Sequence, residues 1–434
     1  MSDLTKTDEA WNVLFERFNI LDEINHQGHF IISANDIKKE REPRLMSKFD
    51  HSINLPQIFR DNKLAILPIS RGDYIISNFD VYHKFEQNNA PIQQFSLPDY
   101  LQSITEENIS SETIAINAAF ASGILNDFFE DEELYATACG RMRSGEFSFN
   151  IKETNGQIRT IDVENSQIEI DSAYEGINYL SIIEAKRDLA EDFLIRQLYY
   201  PFRTWLEKGL TKKIKPVFLI YSNGVFSLYE YKFEDEMVYN SLKLVKSKRY
   251  SIENTDITLD DIIKLLGTTS IIKEPEIAFP QADKFERVIN LCEILNMQSY
   301  TREQITQKYA FDARQTDYYT NAAQYLGLIK KIQTGGPYTV TDEGRKILSL
   351  PYKKRQLAYC GKILQHKVFY DAFTSCLEQN SIIDQDEIVS IMKNSNLFNI
   401  GSESTFKRRS STIRGWINWI FSLFQGNYEL QLNL

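Results

Sequence analysis

The sequence predicts an α/β core, in which a mixed β-sheet is flanked by helices, with an N-terminal α+β segment before it and helical domains after it. Between about residues 110 and 250, a helical pattern leads into several short strands, a second helix and an apolar hairpin. Strands joined both by hairpins and by a helix are typical of a mixed sheet with helices on its faces. A chain of 434 residues is also too long for one ordinary hydrophobic core.

The N-terminal segment is predicted to span residues 1–95. It opens with a helical pattern, DEAWNVLFERFNIL, and continues with an apolar hairpin that turns at Arg71-Gly72-Asp73. A stretch rich in Gln, Asn and Pro, FEQNNAPIQQFSLPDY, is typical of a linker. The core then follows, and we assign it to residues 96–275.

The last third of the chain is predicted to be helical. Residues 280–350 show three helical patterns followed by a hairpin that turns at Gly335-Gly336. This order resembles a winged helix-turn-helix, whose third helix should begin at the N-cap candidate Asp312. Residues 351–434 are predicted to be all helical, and the basic stretch FKRRSSTIR with the helix after it resembles a second helix-turn-helix.

The composition is that of a soluble globular protein, with 42% hydrophobic and 25% charged residues. No apolar run approaches the roughly 20 residues needed to cross a bilayer. The first residues, MSDLTKTDEAW, lack the pattern of a secretion signal. The four cysteines are scattered without metal-binding spacing, as in reduced cytoplasmic proteins. We therefore expect a cytoplasmic protein without a membrane partner.

The net charge of −11 does not exclude a nucleic-acid partner, because the charge is segregated along the chain. Residues 201–250 carry ten Lys and Arg against five Asp and Glu, in clusters such as TKKIK and KLVKSKR. Such clusters are typical either of a phosphate-binding surface or of solvated surface lysines. Both interpretations remain open.

One apolar strand, NYLSIIEAK, ends in the charged residues Glu184 and Lys186. Strand side chains alternate between the two faces of a sheet, so both charged residues continue an inward apolar row. Burying charge is costly and calls for a reason. If the preceding strand pairs with this one through a turn near Ile177-Asn178, Asp171 falls opposite Glu184, with about 5 Å between their Cβ atoms.

Two carboxylates this close repel each other unless a cation lies between them. Mg²⁺ suits the position because it prefers oxygen ligands and keeps several waters. A metal held by Asp171 and Glu184 would polarise a phosphodiester oxygen and lower the pKa of a bound water. Lys186 could orient or help to deprotonate that water and offset the charge of the transition state. The alternative is an ion pair of Glu184 with Lys186 or Arg187 that has no catalytic role.

The spacing D-x12-E-A-K on two strands resembles the PD-(D/E)XK nuclease superfamily, over roughly residues 110–231. The resemblance implies a restriction-endonuclease-like α/β core in which Asp171, Glu184 and Lys186 are catalytic and the two acids bind Mg²⁺. One departure is Ile170, which stands where the family usually has proline.

A helix is expected directly after this motif, capped by Asp188 with Glu191 three residues further on. It would carry Gln197 and Tyr200, which resemble the conserved Gln and Tyr of RecB-like members of the superfamily. Their spacing here is one residue shorter than is usual in those members. The resemblance implies a catalytic role for Gln197.

We assign DNA contacts to three places. In the third helix of the winged unit, Tyr319, Ala323 and Leu326 suit the buried side. The residues left to face a major groove are Arg314, Gln315, Tyr318 and Asn321. The phosphate-binding candidates of the tail are Lys407, Arg408 and Arg409, and those of the N-terminal segment are Arg41, Arg44 and Lys48. Trp416 suits a core better than a base-stacking platform, and the alternative for the winged unit is a purely structural role.

A nuclease core joined to helical DNA-reading domains resembles a type II restriction endonuclease. The resemblance implies Mg²⁺-dependent cleavage of double-stranded DNA at a short site, 5′-phosphate ends and a companion DNA methyltransferase that protects the host. A homodimer is expected, because cutting both strands of a palindrome needs two sites related by a twofold axis. Two alternatives remain: a repair or junction nuclease of the same fold, and a winged-helix regulator that binds DNA without cutting it.

Overall fold

The computed structural model describes residues 4–88, 90–106, 109–309, 311 and 313–424. Its N-terminal segment (residues 4–77) is built from α1 (Lys6–Arg17), α2 (Ile20–Gln27), β1 (Phe30–Ser33), α3 (Ala34–Lys38), α4 (Pro43–Ser47), α5 (Gln57–Asp61), β2 (Ala65–Pro68) and β3 (Asp73–Ser77). The strands form an antiparallel sheet of order β1-β3-β2, and the helices pack on one of its faces. The predicted helical start and the predicted hairpin are both confirmed.

The central domain (residues 82–251) contains a large sheet, two short ones and three helices. Its elements are β4 (Tyr82–Lys84), β5 (Ile92–Gln94), α6 (Glu112–Ala121), α7 (Ile124–Phe129), β6 (Leu134–Arg143), β7 (Glu146–Lys152), β8 (Ile158–Glu164), β9 (Gln167–Gly176), β10 (Tyr179–Lys186), β11 (Asp192–Leu194), α8 (Arg196–Leu206), β12 (Lys213–Ser222), β13 (Val225–Phe233) and β14 (Leu242–Ser251). The large sheet has the order β5-β14-β13-β12-β10-β9-β6. The pairs β10–β12 and β14–β5 are parallel, and the other pairs are antiparallel. With α6 and α7 on one face and α8 on the other, the predicted mixed sheet flanked by helices is confirmed.

Three strands of the large sheet escape prediction. β6 forms one edge and is exposed along most of its length, so its sequence has no apolar alternation. β14 contains the basic cluster KLVKSKR, and its many charged residues are not typical of a strand sequence. β5 lies inside the predicted linker and pairs with β14 at the other edge of the sheet. The predicted boundary at residue 95 therefore falls after a strand of the central sheet.

The helix after β10 does not begin where we predicted. The chain from 187 to 191 is irregular, β11 follows, and α8 begins only at Arg196. Asp188 contacts His51, at 3.3 Å between Oδ2 and Nε2, and Glu191 pairs with Lys284 at 2.8 Å. The predicted cap is thus wrong, because these carboxylates are engaged in tertiary contacts.

The N-terminal segment shares a hydrophobic core with the central domain. Leu67 and Ile75 lie on the sheet face that its own helices leave uncovered, and they pack in one cluster with Ile182 and Tyr200. β4 also pairs with β11, and Leu194 donates its backbone N–H to the carbonyl of Asp50. The two parts are consequently held in a fixed relation around the end of β10.

In the residues described, the regular elements of the C-terminal part are helices and one hairpin. Its elements are α9 (Leu259–Thr268), α10 (Phe285–Met297), α11 (Arg302–Lys308), α12 (Ala313–Tyr325), β15 (Ile329–Lys331), β16 (Tyr338–Val340), α13 (Asp342–Leu348), α14 (Tyr352–Leu364), α15 (Lys367–Gln379), α16 (Gln385–Lys393) and α17 (Glu403–Ser422). The predicted order of three helices and a hairpin is confirmed in α10, α11, α12 and β15–β16. Tyr319, Ala323 and Leu326 are buried as predicted. Asp312, the predicted N-cap, lies outside the described residues.

The end of the described chain is packed into the C-terminal core. Trp416 is fully buried, and the prediction that it is a core residue is confirmed. Among the described helices, none is both long and apolar enough to cross a membrane.

Candidate active site

The site is built on the hairpin formed by β9 and β10. These strands pair antiparallel, with Ser172 opposite Ile183 as the last matched pair. Continued by one residue, this register places Asp171 opposite Glu184, which is the pairing expected from the sequence. Beyond the last pair, the backbone N–H of Ala185 donates to Asp171 Oδ2 at 2.8 Å. The first acid is therefore held directly against the strand that carries the second.

Asp131 sets the register of this hairpin from outside. Its buried carboxylate accepts the backbone N–H groups of Ile177 and Asn178, at 3.2 and 3.1 Å, in the turn between the strands. A Cβ on Gly176 would lie 2.2 Å from Asp131 Oδ2, so glycine is needed for this approach. If the pairing of the two strands slipped by one residue, Glu184 would point to the opposite face of the sheet. The hydrogen bonds between the turn and Asp131 oppose such a slip.

Glu184 is the centre of the site's hydrogen bonds. Its Oε1 lies 2.5 Å from Lys186 Nζ and accepts Gln197 Nε2 at 2.7 Å. Gln197 reaches Glu184 from the first turn of α8. Although this helix begins later than predicted, the side chain still points toward the sheet. The ion pair considered as an alternative is therefore present between Glu184 and Lys186. Arg187 lies apart from it and donates to the carbonyl of Ser110.

Burial and charge shift the protonation of these groups. Burial raises the pKa of Glu184 to about 7, although the Lys186 ammonium acts in the opposite direction. Burial also raises the pKa of Asp171, against the effects of Lys186 and of the Ala185 N–H. Burial alone would lower the pKa of Lys186, but the surrounding carboxylates outweigh it and raise that pKa. Lys186 is accordingly a charged ammonium at neutral pH.

Two of these surrounding carboxylates were missed in the sequence. Glu112, in the first turn of α6, and Asp50, from the N-terminal segment, both raise the pKa of Lys186. Glu112 could have been suspected as an acid opening the helix before the sheet. Nothing in the local sequence marks Asp50, because only the docking of the N-terminal segment brings it here.

The acids lie in a cleft between the N-terminal segment and the central domain, with a volume of about 590 Å³. Asp171, Glu184, Lys186 and Gln197 all line it. The other cationic side chains of its wall are Arg44, Lys48, Arg71, Arg141 and Arg196. Of the N-terminal phosphate-binding candidates, Arg44 and Lys48 thus reach the site. The third candidate, Arg41, instead donates to Thr7 Oγ1 at 2.7 Å.

The basic clusters of residues 201–250 are largely paired with acids on the protein itself. Lys212 Nζ lies 2.7 Å from Glu175, and Lys215 lies 3.6 Å from Glu230. On β14, Lys246 lies 2.6 Å from Glu130, directly after α7, and Lys248 lies 2.8 Å from Asp127, in α7. The ion pairs compensate much of the excess positive charge that the sequence shows there, and they favour the interpretation as surface lysines.

The oxygen donors of the site suit a hard cation such as Mg²⁺. Within the described ranges, no three His, Cys, Asp or Glu side chains are grouped closely enough to form a protein-only metal cage. Mg²⁺ is usually held by one or two carboxylates and completed by waters and substrate oxygens. Asp171 and Glu184 supply the carboxylates, and the buried Gln197 Oε1 has no hydrogen-bond partner. The residues present therefore fit Mg²⁺ held partly by substrate.

His51 connects the N-terminal segment to the loop that follows Lys186. Its Nδ1 lies 2.5 Å from the carbonyl oxygen of Asp192, and its Nε2 lies 3.3 Å from Asp188 Oδ2. Both partners accept hydrogen bonds, so both ring nitrogens must donate, which requires the protonated imidazolium. Burial lowers the pKa of His51, but the hydrogen bond and charge of Asp188 outweigh it and the pKa is raised.

We expect this contact to make the protein less stable as the pH rises. Because the pKa of His51 is higher in the folded than in the unfolded state, its stabilisation is complete below about pH 6.5 and is lost through the folded pKa. The loss should be roughly 1–3 kcal/mol, the worth of a hydrogen bond to a charged group. Urea unfolding of the wild type and of His51→Gln, followed from about pH 6 to pH 9, measures it. Identical pH dependence in the two proteins would contradict this assignment.

The four residues of α12 that were predicted to contact DNA differ in their exposure and surroundings. Arg314 is exposed at the start of α12, whereas Tyr318 and Asn321 are half-buried. Gln315 does not lie on an open helix face, because it lines a second cleft, of about 520 Å³, together with residues of the N-terminal segment. The predicted exposure to a major groove therefore fits Arg314 better than Gln315.

The basic cluster of the tail lies beside the same helix. Lys407 and Arg408 are exposed in the first turns of α17, and Arg409 is half-buried. Burial and the neighbouring Arg408 lower the pKa of Arg409, and Tyr318 lies close enough to act against this shift. Tyr318 on α12 is therefore within electrostatic range of Arg409 on α17.

The fold and site define a mixed α/β protein with a buried carboxylate and lysine centre at the base of a cationic cleft. Models of three families match the chain, each described as a domain of unknown function: DUF6996 over residues 8–76, DUF6997 over residues 77–251 and DUF7226 over residues 287–425. Asp171, Glu184, Lys186 and Gln197 all fall within the second match. No curated protein and no solved structure matches the chain.

Proposed function

We propose that the chain is a Mg²⁺-dependent nuclease that hydrolyses phosphodiester bonds of double-stranded DNA, as a type II restriction endonuclease of the PD-(D/E)XK superfamily does. The observation that carries the proposal is the convergence of Asp171, Glu184, Lys186 and Gln197 at the base of a cleft with cationic walls. An isolated structural ion pair would require neither the second carboxylate nor the surrounding arginines.

Each side chain has a definite role in the proposed reaction. Asp171 and Glu184 would hold Mg²⁺, which supplies polarisation of the phosphodiester and activation of water. Lys186, which the carboxylates around it hold as an ammonium in the metal-free protein, would offset the negative charge of the transition state. Gln197 orients Glu184 through the hydrogen bond from Nε2.

Recognition would use the surface formed by α12 and the start of α17. Arg314 is suited to base edges, and Lys407 and Arg408 are suited to phosphates. Tyr318, Asn321 and Arg409 would complete this surface, while Gln315 would act from the second cleft. As a restriction enzyme, the protein would work as a homodimer on a palindromic site and would be accompanied by a DNA methyltransferase.

Incubation of a supercoiled plasmid with the protein and Mg²⁺ tests the function. We expect discrete fragments with 5′-phosphate ends, and no cutting but unchanged DNA binding when Ca²⁺ replaces Mg²⁺, because the larger ion holds water in a looser geometry. Cleavage confined to branched or nicked DNA would instead identify a repair nuclease. Intact plasmid despite DNA binding would overturn the nuclease proposal in favour of a DNA-binding regulator.

A further inference from the structure

The wall of the cleft that faces the catalytic hairpin belongs to the N-terminal segment. Arg44 and Lys48 extend from α4 and its end, and Arg71 extends from the turn between β2 and β3. The central domain contributes Arg141 from β6 and Arg196 from α8. The cations of the lining thus come from distant parts of the sequence and from both parts of the protein.

These arginines differ from the lysines of the basic clusters in their partners. Over the part of the chain that the structure describes, Arg44, Arg71 and Arg196 form no ion pair, whereas Arg141 lies 3.3 Å from Glu169 and Lys48 lies 3.6 Å from Asp50. Arg44 and Arg71 are exposed, and within the described residues neither side chain has a hydrogen-bond partner. Lys212 and Lys246, by contrast, each lie within 2.7 Å of a glutamate. The cleft therefore contains arginines without an ion-pair partner, although Glu42, Glu112 and Glu169 also line it.

The positions of these cations are fixed by the fold. Tyr200, on α8, donates its hydroxyl to the carbonyl of Pro68 at 2.9 Å, next to the turn that carries Arg71. Glu164, at the end of β8, donates its backbone N–H to Ile69 at 2.8 Å. The indole of Trp11 donates to the carbonyl of Met46, in α4, at 3.0 Å. The first two bonds tie the turn that carries Arg71 to α8 and β8, and the third ties α4, which carries Arg44, to α1.

We propose that the N-terminal segment is the second wall of a nucleic-acid clamp. Arg44 and Arg71 hold backbone phosphates of the strand to be cut, facing Glu184 and Lys186 across the cleft. A polyanionic backbone fits this cleft because it offers several phosphates to the several cations that different elements contribute. The inference rests on the proposed function for its substrate and extends it to a part of the chain outside the nuclease-like core.

Equilibrium DNA binding in the absence of divalent metal tests the clamp without requiring cleavage. The full chain carrying Arg44→Gln and Arg71→Gln should bind a fluorescent duplex about tenfold more weakly than the wild type or worse. The slope of log affinity against log salt should become shallower by about 0.9 for each phosphate contact that is lost. Unfolding is not expected, because both residues are exposed; circular dichroism checks this.

The matched control carries Lys212→Gln and Lys246→Gln, which remove the same charge from lysines that already have partners. It should bind with nearly the affinity and salt slope of the wild type. If both double variants lost DNA affinity equally, the loss would reflect net charge alone and the clamp would be overturned. Unchanged DNA binding by the arginine variant would also overturn it.

Cleavage measured on the same proteins separates the two proposals. A wild type that cuts DNA, with an arginine variant that binds normally, would reject the clamp and keep the nuclease. A wild type that binds through Arg44 and Arg71 but never cuts with Mg²⁺ would reject the nuclease and keep the clamp. A wild type that neither binds nor cuts would reject both.

Discussion

Glu184→Gln should lower the rate of DNA cleavage by at least about a thousandfold while leaving the fold and DNA affinity intact. The substitution removes the charge that would hold Mg²⁺ but keeps the shape of the side chain. The variant should still fold, because the amide oxygen can accept a hydrogen bond from Lys186, and the carboxylates of Asp171, Glu112 and Asp50 remain near that ammonium. Single-turnover cleavage of plasmid with Mg²⁺ measures the rate, and circular dichroism checks folding.

Asp171→Asn and Lys186→Met should show losses in the same direction, because each removes one charge from the same centre. Glu175→Gln is the matched control, since it makes the same change on the same hairpin, at a residue paired with Lys212 at 2.7 Å. It should cut at nearly the rate of the wild type. If Glu184→Gln kept more than about a tenth of the wild-type rate, Glu184 could not be a metal ligand, and the ion pair with Lys186 would be purely structural.

Trp416→Ala should destabilise the C-terminal part by about 3–5 kcal/mol, the usual cost of truncating a buried tryptophan. Trp416 is fully buried, and its ring stacks on Phe369 at 5.0 Å between centroids. Its indole N–H donates to the carbonyl of Ala282 at 2.6 Å, which joins α17 to the chain before α10. Urea unfolding followed by circular dichroism should show a lower midpoint or an early separate transition.

Asn418→Ala serves as the control, because Asn418 is exposed on the same helix. It should change the free energy of unfolding by no more than about 0.5 kcal/mol. The loss in free energy of unfolding for Trp416→Phe should lie between those for Trp416→Ala and Asn418→Ala, because this variant keeps an aromatic ring but loses the hydrogen bond. A wild-type unfolding curve for Trp416→Ala would show that α17 is not needed for the C-terminal core, and the basic residues of its first turns could then be studied by truncation.

Local patterns of the sequence were sufficient for the features that depend on near neighbours. The hairpin of β9 and β10 follows from apolar alternation and from the turn between the strands, so the facing of Asp171 and Glu184 could be predicted. The buried side of α12 follows from helical spacing in the same way. The burial of Trp416 was expected from the amphipathic pattern of its helix.

The features that failed depend on which distant segments meet. Asp188 resembles a helix cap in the sequence, but His51 occupies its carboxylate in the folded protein, and the helix begins later. β6 has no apolar alternation because it lies exposed at a sheet edge, and pairing with β9 makes it a strand. Its backbone hydrogen bonds, and not its side chains, decide its conformation.

The charged residues show most clearly which features follow from the sequence and which depend on the tertiary structure. The sequence determined the acid and lysine motif, because the members of such a motif are separated by one hairpin. The dense lysine clusters turned out to be paired with acids of other elements, whereas Arg44, Arg71 and Arg196 are scattered in the sequence and meet at one cleft. The tertiary structure alone decided which of the cations have an ion-pair partner, because an ion pair depends on distance in space and not on separation along the chain.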